Sequence, residues 1–322
     1  MESSSSIVIQ YFNCRSMGTR FDFLTYGLDE GFFSSTKTFI LNELERIEQK
    51  FSRYNEQSEI FRINQLAATE PVTTDSETIA LLGLCKEYYI KTNKLFDITV
   101  GKLTHNADQA EKDQDSAQTS KDVNFEFANS LLGADKIILD LTASTVRFLN
   151  PMLAIDLGGI GKGYALEKIT HYCTENRIMN ALISFGDSSI TTLGKHPHGA
   201  YWPIGMQHAF TSGIPIQTFK LNDSCMSTSG NTPNNRLKFG ANGHIINPLT
   251  GEFQKDSKTI TVVTNNPVDA EVLSTSLFIA GDSDKAEILS RFNPTESIEI
   301  SYNQINEHQI INLNHEFAII AK

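Results

Sequence analysis

The stretch Ala154–Ile169, AIDLGGIGKGYALEKI, constrains the chain more than any other. A short apolar run ends at Asp156, four glycines fall between positions 158 and 163, and a helical pattern follows. Glycine lets the backbone turn with positive φ and lets a ligand approach the amides. A helix starting there aims unpaired N–H groups and partial positive charge at an anion. Asp156 closes the predicted strand and Lys162 lies within the turn, so opposite charges flank a candidate phosphate cradle. Lys162 is followed by Gly163, which excludes a Walker loop, and the even spacing of Gly159, Gly161 and Gly163 is not the dinucleotide fingerprint. Alone, the stretch reads equally well as a structural turn.

The rest of the chain narrows its setting. A length of 322 residues suits one large domain or two ordinary ones, of which a single domain is the expectation, and 40% hydrophobic side chains are enough for a real core. A net charge of −11 argues against nucleic acid as the main partner and against adhesion to anionic lipid. No apolar run is long enough to span a bilayer, so no transmembrane segment is expected. The N-terminus shows no signal-peptide pattern and Cys14 no lipidation context. The expectation is a cytoplasmic protein, the alternative an exported one whose leader is missing from the sequence. Cys14, Cys85, Cys173 and Cys225 are widely separated and read as reduced thiols.

Periodicity predicts a hairpin around Met17-Gly18-Thr19, helices over 35–51 and 75–92, a polar stretch over 51–65, and the apolar run Leu95–Leu103 broken by Asp97. Residues 105–122 lack large apolar side chains and read as an exposed insertion. KIILDL and STVRFL are expected to pair and feed the glycine turn. Ala181–Phe185 is expected to lead into a tight polar turn at Gly186–Ser189, and WPIGMQ and QTFKLN to be short strands. From Thr259 a strand, helices over 267–279 and 284–292, and strands SIEISY and HEFAII follow. Strands and helices mix without a βαβ repeat, so the expected class is α+β, with mixed and antiparallel sheets, flanking helices and a ligand cleft between two halves.

Two further stretches carry chemistry. Ser224–Glu252 holds Ser227, Thr228, Ser229 and Gly230, whose hydroxyls and amides suit phosphate oxygens, and His244, a base that titrates near working pH. A polar hairpin is the plain alternative. In NNPVDAEVLSTSLF, Asn266 is a natural N-cap with Pro267 at the first helical position. Glu271 and Thr275 then share one helical face beside Ser274. A carboxylate and two hydroxyls are hard donors that suit Mg²⁺; a solvated face is the alternative.

Taken together, MGT (17–19), SRYNEQSEI (52–60), FDITVG (96–101), DLGGIGKGYALE (156–167), TSG (228–230), HIINPLTG (244–251) and AEVLSTSLF (270–278) resemble the ApbE family of flavin transferases, in order and across nearly the whole chain. The resemblance implies an ApbE-like fold and a Mg²⁺-dependent FAD:protein FMN transferase. Such an enzyme cleaves the FAD pyrophosphate, attaches FMN to a Thr or Ser of an acceptor protein and releases AMP. Hydrolysis of FAD to FMN and AMP, or flavin binding without turnover, are the alternatives. It implies that Met17, Tyr54, Leu95, Phe96, Asp97, Asp156, Lys162, Thr228, His244 and Ile245 contact FAD, with Tyr54 against the isoalloxazine ring. His244 is the candidate catalytic base. The metal set implied is the carbonyl of Gly159 with Glu271, Ser274 and Thr275. The chain departs from the family pattern in having Glu271 where Asp is usual, Gly-Asp-Ser at 186–188 where Gly-Gly-Asp is common, Asn247 and Leu249 where Asp and Arg are common, and Glu167 for Asp.

Overall fold

The computed structural model describes residues 7–103, 132–207, 215–231, 245–304 and 307–317. The insertion expected at 105–122 and the candidate base His244 lie outside them.

Alternation on either side of Met17-Gly18 folds into β1 (Ile9–Ser16) and β2 (Thr19–Tyr26), in register from Ile9 against Tyr26 to Ser16 against Thr19. The two loop residues take φ of 49° and 73°, the left-handed pair that matches strand twist in a tight hairpin. This hairpin forms one end of an eight-stranded antiparallel sheet. The order continues through β6 (Ala181–Phe185), β7 (Ser189–Leu193), β10 (Cys225–Gly230), β11 (Lys258–Thr264), β12 (Glu296–Gln304) and β13 (Glu307–Asn312). Between β7 and β10 in sequence, β8 (Trp202–Gln207) and β9 (Pro215–Leu221) form a separate ribbon. Its Trp202, Phe219 and Leu221 pack with Ile190, Met226, Val263 and Ile300 of the main sheet.

Helices cover the other face. α1 (Glu30–Phe51) starts earlier than expected because Asp29 caps it, accepting from the Phe32 N–H. The polar stretch contains a helix, α2 (Glu59–Leu66), started by Ser58 accepting from the Phe61 N–H. α3 (Ser76–Lys91) is capped by Asp75. α4 (Gly161–Glu175) follows the glycine turn, and α5 (Pro267–Ile279) begins at Asn266 with Pro267 in its first turn, as its caps predict. α6 (Asp282–Phe292) follows directly.

KIILDL and STVRFL pair as expected, as β4 (Ile137–Asp140) and β5 (Thr145–Phe148), in a small sheet with β3 (Val72–Thr73) apart from the main one. Two expectations fail. The run before the glycine turn is no strand. It makes a short parallel bridge, Val100 against Ala154, with the Asp156 N–H bonded to the Ile98 carbonyl at 2.8 Å. HEFAII is not a strand where described, since α7 (Leu313–Phe317) holds its first residues. The Asn312 side chain accepts from the N–H groups of Asn314 and His315 and so starts a helix.

No helix among the described residues is long and apolar enough to cross a membrane. The four cysteines are free thiols, and burial pushes Cys225 up to about 11 and Cys173 up to about 12.

Candidate functional site

α5 is the element the site is built on. Ten of its residues are buried, Glu271 and Ser274 among them, which excludes the solvated-face reading. It lies between the main sheet and α4 and packs on β7, β10, β11 and α4. The approach to α4 is close because Gly163 has no side chain: a Cβ there would meet the Pro267 carbonyl oxygen at 2.7 Å and Glu271 Cγ at 3.1 Å. The glycine thus allows the N-terminal turn of α4 to lie against the N-terminal half of α5.

At that crossing Lys162 Nζ lies 2.7 Å from Glu271 Oε1. The same oxygen accepts a hydrogen bond from the Ser189 hydroxyl, and Oε2 accepts from the Gly163 N–H at 3.3 Å. The Glu271 side chain is 4% exposed and that of Lys162 25%. A buried carboxylate needs such partners, since charge without them is expensive to desolvate. One N–H of the first turn of α4, expected to face an anion, therefore already faces a carboxylate of this chain.

One helical turn on from Glu271 the chemistry changes to hydroxyls. Ser274 Oγ lies 3.1 Å from Ser227 Oγ and 2.9 Å from Ser229 Oγ, and Ser229 Oγ lies 3.0 Å from Thr275 Oγ1. Strand alternation explains which strand residues take part. Ser227 and Ser229 face α5, whereas Thr228 turns to the other side of the sheet, where its hydroxyl pairs with that of Thr261 at 2.8 Å. Among the described residues no three His, Cys, Asp or Glu side chains gather as a metal cluster. A cation here would rest on one carboxylate and hydroxyl oxygens, a hard donor set that suits an ion keeping several of its own ligands, as Mg²⁺ does.

Each remaining candidate has its own local partners. Asp156 pairs with Arg53 at 3.1 Å and accepts from the Gly158 N–H at 2.8 Å. Arg53 sits 4.2 Å from the centroid of the Tyr54 ring and also bonds its hydroxyl. Tyr54 is 66% exposed, a flat face open to solvent. Gly159 lies in the turn against the Phe96 ring, and Phe96 packs edge-on to Tyr88, whose hydroxyl donates to Asp269 of α5 at 2.8 Å. The Leu95, Phe96 and Ile245 side chains are core members, Leu95 and Ile245 in one cluster with Leu273 of α5. Asp97 Oδ1 accepts from the N–H and hydroxyl of Thr99, and burial raises its carboxyl to about 6. Met17 holds the tip of the first hairpin with its N–H on Glu48. That tip adjoins the β6–β7 turn, where the Gly186 N–H donates to the Arg20 carbonyl. The Gly186–Ser189 turn in turn presents Ser189 to Glu271.

Arg53 and Ser189 are the site members that sequence reasoning did not place. Arg53 neighbours Tyr54 in the quoted motif, but nothing local ties it to Asp156. Ser189 was legible only as part of a polar turn.

The ApbE family profile matches residues 17–298, which span the glycine turn, the hydroxyl-bearing strand and α5. The chain belongs to the ApbE family. Among curated ApbE relatives, the FAD:protein FMN transferase of Haemophilus influenzae is 27% identical over 293 residues, covering 87% of this chain and 83% of that protein. The FAD:protein FMN transferase of Chlamydia muridarum is 28% identical over 247 residues, 72% of each chain. The fold agrees with solved ApbE structures. The Thermotoga maritima ApbE protein superposes with TM-score 0.80 at 22% identity, over 95% of this chain and 97% of that one. The flavin transferase ApbE of Vibrio cholerae gives 0.79 at 20% identity, with the same coverage. The expected α+β, ApbE-like architecture is the one observed.

Proposed function

We propose that this chain is a Mg²⁺-dependent FAD:protein FMN transferase, moving FMN from FAD to a threonine or serine hydroxyl of an acceptor protein with release of AMP. The observation that supports it most is the crossing of α4 and α5, where Lys162 from the glycine turn meets the buried Glu271 beside the hydroxyls of Ser274, Thr275 and Ser229.

Displacement at a pyrophosphate requires negative charge to be stabilised on both phosphoryl groups. Lys162, on the first turn of α4, offers an ammonium to one of them, and the turn's amides offer N–H donors. Glu271, Ser274 and Thr275, with the Gly159 carbonyl, would hold Mg²⁺, which when bound supplies further charge neutralisation and orients the phosphates. The exposed Tyr54 ring, braced by Arg53, provides a surface for the isoalloxazine. Asp156 holds Arg53 in place. Met17 and Asp97 are assigned contacts with the same flavin, and the buried Leu95, Phe96 and Ile245 would meet it through their backbone. Thr228 would contribute through its backbone, since its hydroxyl points the other way. His244 is assigned the removal of the proton from the incoming hydroxyl, whose oxygen then bonds the flavin-side phosphorus as the bond to AMP breaks.

The test incubates the protein with FAD and Mg²⁺, with and without a threonine-bearing acceptor, and follows AMP and covalently bound flavin. Covalent flavin and AMP together bear out the transferase. AMP without acceptor identifies a pyrophosphatase, and no AMP under either condition leaves a flavin-binding protein.

A further inference from the structure

We propose that Lys162 is an internal counter-ion that competes with the divalent ion for Glu271, so that ion and dinucleotide bind cooperatively. This rests on the proposed function for the identity of the ion and the anion. Glu271 Oε1 takes a hydrogen bond from Lys162 Nζ at 2.7 Å and another from the Ser189 hydroxyl, which together use both of its lone pairs. Oε2 takes the Gly163 N–H, leaving one further position. A divalent ion arriving at this carboxylate meets an ammonium already at contact distance, and two cations at that spacing repel in a site this dry.

The two partners of Oε1 differ in their freedom. Ser189 is 1% exposed and fixed on β7, and Gly163 is backbone. Lys162 is a long side chain, a quarter exposed, on the first turn of α4. It alone can swing from the carboxylate to a phosphate at the helix N-terminus without moving the backbone. A bound pyrophosphate would draw Lys162 away and so free Glu271 for the ion. The ion in turn would favour the position of Lys162 on the phosphate. Coupling of this kind is reciprocal and typically 5–150-fold.

The test measures Mn²⁺ binding to flavin-free protein by the electron-spin signal of the free ion, in the wild type, Lys162→Met, Ser189→Ala and Lys162→Met/Glu271→Ala, each checked for folding by near-UV dichroism. Lys162→Met is expected to bind Mn²⁺ about tenfold or more tightly than wild type. Ser189→Ala should gain less, and the gain should vanish when Glu271 is also replaced. An unchanged or weaker affinity in Lys162→Met, or a gain that survives loss of Glu271, overturns the proposal. If Lys162→Met fails to fold, Lys162→Gln, alone and with Glu271→Ala, takes its place under the same two criteria. The outcome is separable from that of the proposed function. AMP release from FAD with no gain in Mn²⁺ affinity removes only the competition, whereas the gain without AMP release removes only the transferase.

Discussion

Among the described residues, two lysine–glutamate pairs of equal length have a buried carboxylate, and they serve different ends. Lys285 of α6 and Glu299 of β12 lie 2.7 Å apart with side chains 8% and 10% exposed. Burial alone would raise the Glu299 carboxyl, but the hydrogen bond and charge of Lys285, with Lys258 near, hold it below its usual value. Both partners are shut in, and the pair fastens a helix to a strand. Lys162 and Glu271 are also 2.7 Å apart, yet here the carboxylate is the more buried and the lysine the more open partner. The carboxylate also has a hydroxyl and an amide on it, and a row of hydroxyls lies one turn away. A pair closed on both sides can only be kept or lost; a pair with one mobile partner can exchange it.

The sharpest way to break this contrast is Glu271→Ala. It should abolish metal-dependent turnover, read as AMP release from FAD, while flavin binding read by fluorescence survives. Full activity would show that the α4–α5 crossing is as structural as the α6–β12 pair. Next in size is Lys285→Met, which strands Glu299 and should cost about 3 kcal/mol in urea unfolding. Turnover at saturating FAD should be unchanged. Replacing both members, Lys285→Met with Glu299→Leu, should recover most of the loss, because two apolar groups of similar volume need no partner. A turnover defect in the recovered double variant would contradict a purely fastening role.

Asp97 is a partly buried carboxyl whose titration gives a third prediction. Asp97 titrates near 6 because burial penalises its charge more than the two Thr99 hydrogen bonds favour it. A carboxyl raised on folding stabilises the fold below its unfolded pKa of about 4. That contribution is lost as pH rises through about 6. Asp97→Asn should remove this fall. The variant should gain about 2–3 kcal/mol relative to wild type between about pH 4 and pH 7.5. Parallel stability–pH curves for the two proteins would show that folding does not raise the Asp97 carboxyl.

These effects also mark what was legible in the chain. Two helix starts were readable because a cap is local: Asp75 and the Asn266-Pro267 pair signal their helices within a few residues, whereas the equally local caps Asp29 and Ser58 went unread. The glycine turn and the oxygen row of α5 were readable for the same reason. The first strand-like segment of HEFAII misled because a short apolar run is ambiguous in period, and Asn312, just upstream, settled it as a helix. The partners of the charged residues were not readable. Ser189 and Glu271 meet only through the order of strands and the packing of α5 on them, and Arg53 and Asp156 through the packing of α1 on α4; no spacing along the chain encodes either.

The smallest effect tests the map at single-residue scale. Thr228 and Ser229 are neighbours on β10, and both were candidates for the same phosphate-binding turn. Because successive strand residues face opposite ways, Ser229 reaches Ser274 and Thr275 while Thr228 pairs with Thr261. Thr228→Val keeps the side-chain volume and removes one hydroxyl from a partner that can still bond Met206. It should cost about 1 kcal/mol of stability and leave FAD turnover within about threefold. Ser229→Ala removes a hydroxyl shared by two α5 residues and should lower turnover by more than Thr228→Val, at a similar cost in unfolding. A larger turnover loss in Thr228→Val than in Ser229→Ala would place the phosphates on the other face of the sheet, against the β8–β9 ribbon, and would take the α4–α5 crossing out of the reaction.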